Sequence, residues 1–193
     1  MRAPEPLALV RLLTDNPDTV THVLEQLTGE RLMAEVVGQY AMPVEPGNLL
    51  GVLAGEPVVR RSAVLKGAST ATPYLYAESE FVPARLPDAV CMQLQHTGDP
   101  IGRVLATHGL CQIREEIPAS GAGTPEELDS KACEAAANAA AIAETADAAA
   151  AIAETAVVWS RAYRLRINGL PVFAIREWFF RSAQEAFERS RPA

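Results

Sequence analysis

The stretch VVWSRAYRLRI at 157–167, followed by Asn168-Gly169 and then PVFAIREWFF at 171–180, decides the fold class. Asn-Gly supplies the two residues that accept a positive φ in a type I′ turn, and that turn matches the twist of two antiparallel strands. Both flanking runs are rich in β-branched and aromatic residues, so the reading is a long closing hairpin. In its second strand Phe173, Ile175 and Phe179 share one parity and face a core. Glu177 falls on the same parity, which directs a carboxylate inward, while Arg176 points the other way.

Working towards the N-terminus, VVRRSAVLK at 58–66 and YLYAESEFV at 74–82 flank the turn-rich GASTATP and predict a second hairpin with a longer loop. Arg61 shares parity with Val59, Ala63 and Leu65, whereas Arg60 goes with Ser62 and Lys66 on the wet face. A strand over 32–41 places Leu32, Ala34, Val36 and Tyr40 on one side. A helix over 17–28 has Asp15 or Asn16 as its cap, Pro17 at its first position, Val20, Val23, Leu24 and Leu27 on its apolar face, and Gly29 at its end. Short helical pieces follow Pro87 and Asp99-Pro100, and LCQIREEI at 110–117 returns to a strand pattern that Pro118 ends. Strands grouped together, with helices set apart and no regular βαβ alternation, predict an α+β fold: a single domain with an antiparallel β-sheet of five or six strands and helices packed on it.

One segment stands apart. In LDSKACEAAANAAAIAETADAAAAIAETA at 128–156 the hexapeptide AIAETA occurs twice, at 141–146 and 151–156. Alanine is the strongest helix former and the segment holds no Gly or Pro, so it reads as a helix fed by the loop ASGAGTP. The domain boundary is therefore 1–193, with an alanine-rich helical insertion at about 119–156. The simplest reading of the insertion is a surface helix without chemistry of its own.

Composition narrows the function. The chain has 193 residues, 49% hydrophobic and 21% charged, which suits one globular domain. A formal charge of −7 with no basic stripe argues against a nucleic-acid partner. Cys91, Cys111 and Cys133 show neither disulfide-framework nor zinc-ligand spacing, so no structural metal is expected. The start MRAPEPLALVRLLTDNP has only a short apolar stretch, broken by Arg11 and Asp15, which predicts no membrane span and a cytoplasmic protein. His22, His96 and His108 are scattered, no nucleophile elbow occurs, and GASTATP lacks phosphate-loop spacing. A triad and a nucleotide cofactor are both unsupported.

What remains is the pair of inward charges, Arg61 and Glu177. Charged side chains are rarely buried without partners, because leaving water costs several kcal/mol per ion. They form either an internal ion pair or the polar part of an enclosed pocket. In the second case Arg61 clamps the carboxylate of a small-molecule substrate and Glu177 gives acid–base or electrostatic help nearby.

Several strings, taken in order, resemble the chorismate lyase family, including its longer actinobacterial branch that makes 4-hydroxybenzoate. They are DTVTHVLEQL at 18–27, RRSAVLKG at 60–67, YAESEFVP at 76–83, GDPIGRVL at 98–105 and WSRAYRLRINGLPVFAIREWFF at 159–180, which together span most of the chain outside the alanine-rich segment. The resemblance implies a chorismate lyase-like fold with an enclosed ligand pocket. It also implies a lyase, working without a cofactor, that eliminates pyruvate from chorismate and leaves 4-hydroxybenzoate. By it, Arg61 matches the arginine that holds a carboxylate and Glu177 the buried glutamate beside it. Ile101, with Gly102 next to it, matches a position whose backbone N–H contacts ligand, and Val20 matches an apolar wall residue. Some members carry a second arginine where this chain has Glu78 and Ser79; Arg60, Arg103 and Arg164 are its possible substitutes. The alternatives are a diverged enzyme acting on another unsaturated or polyketide-derived acid, and a non-catalytic domain that binds a small acid.

Overall fold

The computed structural model describes residues 6–16, 18–117 and 157–190. The alanine-rich segment and Pro17 lie outside the described residues. In chain order the elements are helices α1 (Pro6–Asp15) and α2 (Val20–Thr28), strands β1 (Leu32–Pro43), β2 (Pro57–Gly67) and β3 (Pro73–Phe81), helices α3 (Asp88–His96) and α4 (Ile101–Thr107), strands β4 (Gln112–Glu116), β5 (Val157–Ile167) and β6 (Leu170–Phe180), and helix α5 (Arg181–Ser190). The six strands form one sheet in the order β1-β2-β3-β6-β5-β4, with every neighbouring pair antiparallel. This is the α+β architecture the hairpins predicted. Asn168 (φ 51°) and Gly169 (φ 78°) make the turn of the closing hairpin, and both flanking strands run as expected.

The helices cover one face of the sheet in two groups. Leu9 and Leu13 of α1, Val23 and Leu24 of α2, and Ala183 and Ala186 of α5 pack on Leu32, Leu65, Leu75 and Phe179. Val90 and Leu94 of α3 and Val104 and Leu105 of α4 pack on Val59, Phe81, Phe173, Tyr163 and Leu165. Between the two groups the sheet presents small residues, Ala63 opposite Ala77 and, one step along, Ser79 opposite Arg61. The floor is thus low where the two helical groups part, and a cavity remains there.

Two expectations need correction. Helix α2 begins at Val20, capped by the Thr19 hydroxyl, which accepts from the His22 amide at 3.3 Å, because a side-chain oxygen at that position reaches the first-turn N–H groups. In β1 a bulge between Val36 and Gly38 moves the register by one residue. Leu32 and Ala34 are buried as expected, but Val36, opposite the inward Ala63, is 38% exposed, and beyond the bulge Tyr40 turns out to solvent while Gln39 takes the inward position beside Arg61. In β4 the inward residues are Gln112 and Arg114, while the hydrophobic Ile113 is 61% exposed. Helices α1 and α5 carry weak signals in the sequence: the first is a short apolar stretch broken by Arg11 and Asp15, and the second follows β6 directly with no turn residue between them.

Candidate functional site

The cavity lies between the floor just described, helix α2 and the start of α4. Thr19 and Val20 line it from α2; Ile101 and Gly102 from α4; and Arg61, Ala77, Tyr163 and Glu177 from the sheet, with Gln112 and Arg114 at the β4 edge. Its volume is about 60 Å³ of room for the centres of water-sized molecules. At 10–15 Å³ per water on that measure this is roughly four to six waters, about what a single-ring acid displaces.

The structure brings all five residues singled out from the sequence to this one cavity: Arg61, Glu177, Ile101, Gly102 and Val20. Arg61 is 2% exposed. Its Nη1 donates to the carbonyl of Leu94 at the end of α3 and to Gln39 Oε1 at 3.3 Å, and its Nη2 donates to the carbonyl of Asp99 at 3.2 Å. All three acceptors are neutral, and no carboxylate among the described residues forms an ion pair with it. Burial pulls its pKa down, while the more distant Asp99 carboxylate pushes it back up.

Glu177 is 5% exposed, and its partner is not Arg61. Arg161, directly opposite it on β5, donates from Nε to Oε2 at 2.8 Å, and the Tyr163 hydroxyl donates to Oε1 at 2.8 Å. The physical reason is register. Ala63, Ala77, Glu177 and Arg161 stand in one cross-strand row, whereas Arg61 stands in the next row with Ser79, Ile175 and Tyr163. Arg161 is anchored further by its Nη1, which donates to the Leu13 carbonyl at 2.8 Å, and it lies over the rings of Tyr163 (4.9 Å) and of Trp159 and Phe179 (both 5.7 Å). Burial works against its charge, but Glu177, Tyr163 and Glu116 together outweigh this and raise its pKa. Burial, and then the Glu177 carboxylate, hold the Tyr163 hydroxyl well above its ordinary range, so it stays protonated as a donor.

Gly102 has a steric reason. A Cβ there would stand 2.6 Å from Thr19 Cβ and 2.8 Å from Thr19 Cγ2, so only glycine lets α4 close on the start of α2. The Ile101 N–H sits in the first turn of α4, where backbone donors have no partner within the helix.

None of the three possible second arginines lines the cavity. Arg60 pairs with Glu80 on the opposite face of the sheet, Arg103 with Glu25 and Asp99, and Arg164 with Glu115. Glu78 faces away as well, and Ser79 is buried with its hydroxyl donating to the Arg61 carbonyl at 3.3 Å. The additional cations are Arg114 in the cavity wall and Arg161 behind Glu177. Parity could have found Arg161, which alternates with Trp159, Tyr163 and Leu165. It would have misplaced Arg114, because Ile113 is the hydrophobe of that strand.

Among the described residues no group of three or more His, Cys, Asp or Glu side chains is placed to hold a metal ion, and no helix is long and apolar enough to cross a membrane.

No established protein-family profile matches the chain. A chorismate pyruvate-lyase of Mycobacterium tuberculosis is 25% identical over 177 residues, covering 90% of this chain and 80% of that protein. A chorismate pyruvate-lyase of Mycobacterium leprae is 26% identical over 175 residues, covering 90% and 74%. Among solved structures, the effector domain of PhnF from Mycobacterium smegmatis superposes with a TM-score of 0.50 at 12% identity, covering 86% of this chain and 91% of that one. The last likeness is one of fold.

Proposed function

We propose that the chain is a chorismate pyruvate-lyase-like enzyme whose cavity binds a cyclic enolpyruvyl acid and releases pyruvate and an aromatic acid, 4-hydroxybenzoate when the substrate is chorismate. One observation carries the reading: Arg61 is a buried guanidinium held in place by neutral acceptors at a cavity wall. A charge so placed calls for an anion, and a ligand carboxylate supplies one in a geometry that guanidinium matches. The 25–26% identity to two lyases over nine-tenths of this chain supports the same reading.

In the reaction the ring carbon bearing the hydroxyl gives up its hydrogen. That C–H electron pair becomes the ring π bond, the C–O bond to the enolpyruvyl group breaks, and the departing enol takes a proton at carbon to become pyruvate. The protein has to hold the reactive conformer, exclude competing water and steady charge on the leaving oxygen. Arg61 binds a carboxylate. Glu177, paired with Arg161 at the cavity wall, is placed to take part in the proton transfer, and the Tyr163 hydroxyl holds its orientation.

The test is incubation of the purified chain with chorismate, following pyruvate and the aromatic product by chromatography. Equimolar pyruvate and 4-hydroxybenzoate are expected, and Arg61→Met should abolish turnover while the circular dichroism spectrum is unchanged. Unchanged turnover in that variant would sink the assignment of Arg61. A binding-only reading is favoured by one feature, the engagement of both Glu177 oxygens by Arg161 and Tyr163. Tight 4-hydroxybenzoate binding without turnover would establish it.

A further inference from the structure

Several arginines of this sheet stand against an acid on a neighbouring strand: Arg60 against Glu80, Arg161 against Glu177 and Arg164 against Glu115. At Arg61 the neighbouring strand offers an amide instead. Gln39 stands directly opposite it on β1, brought to the inward side by the bulge between Val36 and Gly38, and its Oε1 accepts from Arg61 Nη1 at 3.3 Å. A guanidinium has five N–H groups, and their use here is uneven. Nη1 commits both of its own, to the Leu94 carbonyl and to Gln39, while Nη2 commits one to the Asp99 carbonyl at 3.2 Å. The Nε–H and one Nη2–H remain, on the two nitrogens that form one edge of the fork. Nε has no partner among the described residues and, unlike Arg161 Nη2, is not sealed off. The Asp99 carboxylate is engaged elsewhere, accepting from Gln93 at 3.0 Å and from Arg103 at 3.5 Å.

We infer that Gln39 is a positioning residue for Arg61: it fills the second Nη1 donor with an uncharged oxygen, which fixes the guanidinium plane and leaves its charge and its Nε–Nη2 edge to a ligand carboxylate. Glutamate has nearly the same shape and would hold the plane with a stronger, charge-assisted bond. It would also cancel the charge. An arginine already paired gains little from a second carboxylate, and the ligand would then bring an uncompensated negative charge into a buried site. A hydrophobe at the same place would spare the charge but release the plane. The amide does both, and it does so through Arg61, since Gln39 is not among the residues that line the cavity. The inference rests on the reading of Arg61 as the carboxylate clamp and adds what keeps that clamp open.

The experiment is titration calorimetry of the full chain with 4-hydroxybenzoate and 4-hydroxybenzamide, which differ in whether the group that meets Arg61 carries a charge. Wild type should bind the acid at least about 10-fold more tightly than the amide. In Gln39→Glu the acid should weaken at least about 30-fold while the amide changes by less than about 3-fold, because the new carboxylate takes up the charge and not the room. In Gln39→Met, which keeps the volume and adds no charge, the acid should weaken by about 3- to 10-fold and remain preferred, since only the hold on the guanidinium is lost. A residue that merely props the strand would move both ligands together. A parallel loss in Gln39→Glu therefore overturns the inference, and so does acid affinity within about 3-fold of wild type in that variant. Should Gln39→Glu fail to fold, Gln39→Met decides, and acid affinity unchanged or lost in parallel with the amide overturns the role of Gln39. Arg61→Met separates the two readings. If it abolishes the preference for the acid while the Gln39 variants depart from expectation, the clamp stands without Gln39. If wild type shows no preference, binds neither ligand, or keeps its preference in Arg61→Met, both fall.

Discussion

Replacing Arg161 with Met keeps most of the side-chain volume but takes the cation away from Glu177, which then stands buried beside a single hydroxyl donor. Breaking a buried pair from one side costs about 3–5 kcal/mol, because the remaining charge is left uncompensated. The bond from Nη1 to the Leu13 carbonyl, at 2.8 Å, is lost in the same change. Domains are commonly stable by only about 5–15 kcal/mol, so the effect is a large share of the total. With a urea dependence of about 2 kcal/mol per molar, the unfolding midpoint should fall by roughly 1.5–2.5 M. Adding Glu177→Gln removes the orphaned charge and keeps an oxygen for the Tyr163 hydroxyl. The double variant should therefore unfold about 1 M later than Arg161→Met alone. A full cycle that includes the single Glu177→Gln should return a coupling of at least about 2 kcal/mol, as expected for residues in direct contact. If the two single losses simply add, Arg161 does not neutralise Glu177.

Three further outcomes are expected. The Glu30 carboxylate accepts from the Ser69 and Thr70 amides at 3.1 and 3.2 Å and from the Thr70 and Tyr74 hydroxyls at 2.8 and 3.0 Å. Burial works to raise its pKa, but those hydrogen bonds win and lower it. Its stabilising effect is thus full above the unfolded value of about 4.3 and fades as pH falls through the lower folded value, so urea midpoints at pH 7 and pH 3 should differ less in Glu30→Gln than in wild type. Gly102→Ala forces α4 off Thr19; overpacking of this kind costs about 1–3 kcal/mol and should lower Tm by roughly 3–9 °C in a thermal melt. Tyr163→Phe leaves Glu177 Oε1 without its donor and should destabilise by about 1–3 kcal/mol in chemical denaturation. Under the proposed reaction it should also lower kcat more than it changes KM.

Alternation on strands revealed the two charges that line the cavity, because Arg61 and Glu177 each interrupt a run of hydrophobes on one parity. It also revealed both hairpins, since Asn168-Gly169 and GASTATP are local signals for local structure. It could not reveal the partner of Glu177, which depends on which residue of β5 stands opposite it, and the irregularity between Leu165 and Arg166, lying between the turn and that pair, sets the register. The bulge at Val36–Gly38 hid Gln39 in the same way, by reversing the alternation that pointed to Tyr40. Arg114 was obscured for another reason: β4 is an edge strand with polar residues turned to a cavity and a hydrophobe turned to water, the reverse of the usual pattern. The candidates for a second carboxylate-binding cation, Arg60, Arg103 and Arg164, all have acidic partners outside the cavity.

The low floor at Ala63, Ala77 and Ser79 means that this protein carries a deliberate shortage of side-chain volume in the middle of its sheet. Left empty, a void of about 60 Å³ corresponds to roughly 1.4 kcal/mol of forgone packing. A larger hydrophobe at Ala77 would recover part of that and yield a firmer, higher-melting chain with no room for a ring. Under the proposed function, stability and ligand binding therefore make opposite demands of this one position.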